Sequence, residues 1–142
     1  MPSPIVLGYD ASDNARAALD KAVELAKTTG SKLVVVFAYE IPSAWGGETG
    51  DYRRAVKELG EQTAEHATER LREAGVEYEV ELVPERPAEG LVHVAERLGA
   101  SMIVVGTHGE HPIAGAILGS VPHKLLHISS IPVLVVPEPE PE

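Results

Sequence analysis

Five short apolar runs, at 5–9, 33–39, 76–83, 101–106 and 132–136, alternate along this chain with stretches of helical periodicity. That alternation constrains the fold more than any other feature. Leu33-Val34-Val35-Val36-Phe37, Met102-Ile103-Val104-Val105 and Val133-Leu134-Val135-Val136 are almost continuously apolar and rich in β-branched residues. Such runs suit strands covered on both faces, as in a parallel sheet. Glu77-Tyr78-Glu79-Val80-Glu81-Leu82 alternates instead. Alternation predicts one wet face and a place near the sheet edge.

The intervening stretches read as helices. After Ser12, a candidate N-cap, Ala15, Ala18, Leu19, Ala22 and Ala26 recur at three- and four-residue spacing, and Gly30 offers a left-handed stop. Tyr52, Val56, Leu59, Thr63, Ala67, Leu71 and Ala74 predict a longer helix ended by Gly75. Leu91, Val94, Ala95 and Leu98 predict a third, ended by Gly99, and Val121, Leu125, Leu126 and Ile128 a fourth.

The order βαβαβαβαβ implies a parallel sheet wrapped by helices on both faces, a doubly wound α/β fold. If the strand order is 3-2-1-4-5, the carboxyl ends of strands one and four part and leave a ligand crevice. The residues following those two strands are Asp10-Ala11-Ser12 and Gly106-Thr107-His108-Gly109.

The chain's 142 residues suit one domain, expected over 1–136. Residues 137–142 alternate Pro with Glu, which predicts an extended, disordered tail. The net charge of −10 falls only to −7 without Glu138, Glu140 and Glu142, so the body is acidic too. An acidic body repels polyanions, which argues against nucleic acid and anionic membranes as partners. With no cysteine there is no disulfide, thiolate metal site or thiol nucleophile. No apolar run approaches the roughly 20 residues of a membrane span, and the first residues lack a basic-then-apolar leader, so a soluble cytoplasmic protein is expected.

Residues 106–120 carry the chemistry: Gly-Thr-His-Gly-Glu-His-Pro-Ile-Ala-Gly-Ala-Ile-Leu-Gly-Ser. Gly106 and Gly109 follow a buried strand; Gly119 and Ser120 precede a helix. Unpaired N–H groups and the helix dipole make such a terminus an anion site, and no lysine is required. Taken alone, the glycines could equally be turn punctuation. Asp10 could cap a local turn with Ser12 or face a ligand at the end of strand one. His108 and His111 lie in the loop, and His123 and His127 are one helical turn apart. Neither pair has an evident set of further ligands, so polar surface histidines are the simpler reading. Trp45, between strand two and helix two, could cover a ligand, sit at an interface or anchor its loop. There is no Gly-x4-Gly-Lys-Ser/Thr loop, no Gly-x-Gly-x-x-Gly and no Gly-x-Ser-x-Gly, so no catalytic residue is assigned and an enzyme is not expected.

The spacing Gly, two residues, Gly, nine residues, Gly-Ser, between strands four and five, resembles the universal stress protein family. So do Ile5-Val6-Leu7-Gly8-Tyr9-Asp10-Ala11-Ser12, Ile103-Val104-Val105-Gly106-Thr107-His108-Gly109, Leu118-Gly119-Ser120-Val121 and Pro132-Val133-Leu134-Val135-Val136. The resemblance implies a flavodoxin-like fold and a stress-response or signalling module that binds ATP with Mg2+ or Mn2+. It implies nucleotide contacts at Asp10, Ala38, Gly106, His108, Gly109, Gly119, Ser120 and Val121, with Asp10 beside the metal. It also implies a homodimer through Val133, Leu134, Val135 and Val136. The chain departs from the family pattern at Glu110, His111, Pro112 and Pro122. Those departures motivate an alternative: a dimeric interaction protein whose pocket no longer binds nucleotide.

Overall fold

The structure, a computed structural model, describes residues 2–40, 50–108 and 118–139, with the backbone alone for 50–53 and 56. Its elements follow the order β1 (Ile5–Gly8), α1 (Asp13–Thr29), β2 (Leu33–Ala38), α2 (Gly50–Ala74), β3 (Tyr78–Val83), α3 (Pro87–Leu98), β4 (Met102–Gly106), α4 (Ser120–Ile128) and β5 (Val133–Val136). The five strands form one sheet in the order β3-β2-β1-β4-β5, and every pairing is parallel. This is the doubly wound α/β arrangement expected, with the alternating strand β3 at an edge. The helices begin and end close to the anticipated positions; α3 starts earlier, because Pro87 occupies its first turn.

Two-residue periodicity divides the core into two layers. On one face Ile5, Leu7, Leu33, Val35 and Val104 pack with Ala18, Leu19, Ala22 and Val23 of α1 and Ala67 and Leu71 of α2. On the other, Val6, Val34, Val36, Ile103 and Val105 pack with Leu91, Val94 and Ala95 of α3 and Leu125 of α4. Both faces of the central strands are therefore dry, which is why their sequences run apolar without a break.

Local chemistry sets the joints. Ser12 caps α1, its hydroxyl accepting the Ala15 N–H at 3.1 Å. Gly30 and Gly99 close α1 and α3 in the left-handed conformation. Between β1 and α1 the chain turns through Ala11, the one non-glycine residue with positive φ (65°) among those described. After β5, Pro137, Glu138 and Pro139 run exposed and without regular structure.

Candidate functional site

Where the winding reverses, β1 and β4 lie side by side and their crossovers leave on opposite faces. A cavity of about 110 Å³ opens there. Its floor and walls are mostly apolar: Val36 and Ala38 of β2, Leu91 of α3, Val105 of β4, and Val121 and Pro122 of α4. Asp10, Gly106 and His108 bring the polar groups. A small apolar hollow with a few convergent polar groups is the usual form of a small-molecule site.

Each polar group is held from its own strand end. Asp10 follows β1, and its Oδ1 accepts the Ser12 N–H at 3.0 Å, so the local turn is real and orients the carboxylate. Thr107 and His108 follow β4. The Thr107 hydroxyl donates to Asn14 Oδ1 at 2.8 Å, and His108 Nδ1 lies 3.2 Å from the same hydroxyl oxygen. A hydroxyl has one proton to give. With that proton on the Asn14 bond, His108 Nδ1 donates to Thr107 Oγ1. The β4 loop is thereby tied to the first turn of α1.

The amino terminus of α4 has four N–H positions to account for. Gly119, the N-cap, donates to the Thr107 carbonyl at 2.7 Å. Pro122 has no N–H. The amides of Ser120 and Val121 are left without a partner among the described residues. There is no acidic residue in this first turn to oppose an anion. The helix is fixed by fully buried Leu125 and by Lys124, whose ammonium lies 3.2 Å from Glu89 Oε1 on α3.

Of the residues singled out from sequence, Asp10, Ala38, Gly106, His108 and Val121 line the cavity together. Gly119 and Ser120 stand at the head of α4 beside them. Gly109, Glu110, His111, Pro112 and Trp45 lie outside the described residues. His123 and His127 lie side by side on α4, their rings tilted by 58° with centroids 4.8 Å apart, and no group of three or more potential ligands could hold a metal among the described residues. Gly106 is a glycine for a reason other than ligand approach: a β-carbon there would lie 2.7 Å from the Asn14 carbonyl oxygen. Sequence reasoning missed Asn14, Leu91 and Pro87 as site residues. Leu91 looks like any core position of an amphipathic helix, and Asn14 carries no motif.

The Universal stress protein family model matches residues 1–137. The chain belongs to the universal stress protein family. It is 33% identical over 147 aligned positions to the universal stress protein YxiE of Bacillus subtilis, covering 96% of this chain and 99% of that one. Among solved structures, a universal stress protein in complex with cAMP superposes with a TM-score of 0.69 at 29% identity, covering 96% of this chain and 98% of the other. The universal stress protein from Archaeoglobus fulgidus in complex with dAMP superposes with a TM-score of 0.70 at 26% identity, covering 94% and 97%. The flavodoxin-like architecture, with one sheet and helices on both faces, is shared with these family structures. No helix among the described residues is long and apolar enough to cross a membrane.

Proposed function

We propose that this universal stress protein is a stress-response or signalling module that binds an adenine nucleotide between the carboxyl ends of β1 and β4. It acts as a binding protein, not as a catalyst. The observation that carries the reading is the pairing of an apolar cavity with two unpartnered amides, those of Ser120 and Val121, at the head of α4. A base fits an apolar hollow; a phosphate fits helix amides and the positive end of a dipole. The cAMP and dAMP complexes of family members support the same class of ligand.

The finer reading is ATP with Mg2+ or Mn2+. Asp10 is the carboxylate at the cavity that could hold the cation, and the cation would screen the triphosphate from the acidic chain. Ala38, at the end of β2, would meet the base through its backbone. His108, Gly106, Gly109 and Gly119 would shape the phosphate loop, with Gly119 acting through its bond to Thr107. On this reading the protein works where adenine nucleotides are, in the cytoplasm, and neither nucleic acid nor membrane is a partner.

A homodimer through β5 is part of the proposal. Leu134 on that edge strand is 37% exposed, and Leu126 and Ile128 on neighbouring α4 are 56% and 41% exposed. Apolar edge strands are usually covered.

Pro122 favours a second reading, in which the pocket no longer takes nucleotide and only the dimer surface functions. It lines the cavity and withholds one of the first-turn donors. Titration calorimetry with Mg-ATP, AMP and cAMP separates the two. Saturable heat with any of them supports the first; none with all three supports the second.

A further inference from the structure

The outer edge of β3 lies at the opposite end of the sheet from β5. Among the described residues it pairs with β2 alone. Leu33 N–H donates to the Glu77 carbonyl and Tyr39 N–H to the Val83 carbonyl, each at 2.9 Å. The odd-numbered residues thus turn their backbone toward β2. In a parallel ladder the alternate residues, Tyr78, Val80 and Leu82, turn their N–H and C=O groups outward. Two of the usual protections of an edge, a bulge and a proline, are missing from this strand. The register runs unbroken from Leu33↔Tyr78 to Ala38↔Val83, with no bulge, and the strand contains no proline. Its two acids are engaged by the body of the protein, Glu79 with Lys32 at 2.8 Å and Glu81 with Arg97.

Along this edge runs a groove of about 530 Å³, walled by Val80 and Leu82 of β3 and by Glu58, Glu61, Glu65 and Thr68 of α2. The three glutamates are exposed and make no ion pair among the described residues. Their separations along the helix, three and four residues, amount to about 4.5 and 6 Å of rise. Alternate side chains of an extended strand stand about 6.6 Å apart. The two periods are close enough for every second residue of an added strand to meet one glutamate.

We propose that this edge takes an extended basic segment of a partner protein as an additional strand, its alternate Lys or Arg side chains meeting Glu58, Glu61 and Glu65. Backbone pairing with Tyr78, Val80 and Leu82 holds the segment; the acids choose it. A second copy presenting this same edge is the wrong occupant, because it would set Glu58, Glu61 and Glu65 against their own counterparts.

The probe is a blocked, fluorescently labelled octapeptide alternating Lys and Val, titrated at low salt with the full-length protein. A second peptide has the same sequence with alternate amides N-methylated, which keeps its charge and removes its edge donors. The expected result is binding by the first peptide and little or none by the second. The triple variant Glu58→Gln, Glu61→Gln, Glu65→Gln should bind about tenfold more weakly, since it removes all three exposed charge pairs at once. Amide exchange should slow at Val80 and Leu82 on binding and stay unchanged at Glu79 and Glu81, which already face β2. No binding at low salt, equal binding of the methylated peptide, or an unaffected triple variant would overturn the proposal. Protection of the same amides in concentrated free protein would assign the edge to a second copy and overturn it as well.

Discussion

Gly106 and Asn14 meet backbone against backbone: a β-carbon on Gly106 would sit 2.7 Å from the Asn14 carbonyl oxygen and 2.8 Å from Asn14 Cβ. The end of β4 and the first turn of α1 can come this close only because residue 106 has no side chain. Backbone cannot swing aside as a side-chain tip can. Gly106→Ala should therefore destabilise the fold by about 1–3 kcal/mol, the usual cost of overpacking. Gly8→Ala meets Leu91 Cδ1 at 2.8 Å, the far end of a flexible side chain, and should cost less. Urea unfolding of both variants checks the order. A corollary is that a Gly106 variant is a poor probe of nucleotide contact, because its effect on the fold comes first.

The Thr107–Asn14 hydrogen bond joins the same two elements by their side chains. Thr107→Val and Asn14→Ala should each cost about 1 kcal/mol, the net worth of a partly buried hydrogen bond. The double variant should cost less than the sum, because both remove one interaction. A thermodynamic cycle from chemical denaturation measures the coupling. Strict additivity would mean the two residues act independently.

Tyr9 is 5% exposed, and its hydroxyl is buried with no hydrogen-bond partner among the described residues. Burial pushes the phenol above its usual 10.0, with nearby Arg16 opposing. The protonated phenol is the neutral form, so the folded chain keeps this proton at a pH where the unfolded chain has released it. The contribution is fully present below pH 10.0 and is lost as pH rises through the higher folded value. Tyr9→Phe should flatten that alkaline loss of stability. At neutral pH it should shift stability by no more than about 1 kcal/mol, since the deleted hydroxyl makes no close hydrogen bond among the described residues yet interacts with Arg16. Thermal unfolding of both proteins across neutral and alkaline pH reads both effects.

For the proposed homodimer, the choice of residue on β5 decides what a variant means. Val135 packs into the core layer of α3 and α4, whereas Leu134 is exposed. Leu134→Lys should lower the sedimentation coefficient to that of a monomer and leave the fold intact. Val135→Lys would damage the core as well and confuse the two effects.

The architecture was legible because its strands advertise themselves. Leu33–Phe37 and Met102–Val105 are apolar on both faces, and only a sheet covered by helices on each side accommodates that. The alternation around Glu79 and Glu81 placed β3 at an edge for the converse reason. The cavity was legible from topology at Asp10, Gly106 and His108, at strand ends, and at Val121, at a helix start, whereas Ala38 was legible only through the resemblance to the universal stress protein family. Asn14, Leu91 and Pro87 were not, since their part depends on how α1 and α3 dock. The division of labour among the α4 amides was also hidden. No pattern in Gly119-Ser120-Val121-Pro122 says that the first amide is engaged by Thr107 while the second and third have no partner among the described residues.

The central claim, an adenine nucleotide between the ends of β1 and β4, is tested most directly by titrating the purified full-length protein with Mg-ATP in a calorimeter, beside thermal unfolding under the same conditions. The account predicts saturable heat and a melting temperature that climbs with ligand concentration, as linkage requires of anything that binds only the folded state. No heat and an unmoved melting temperature up to millimolar nucleotide would contradict it.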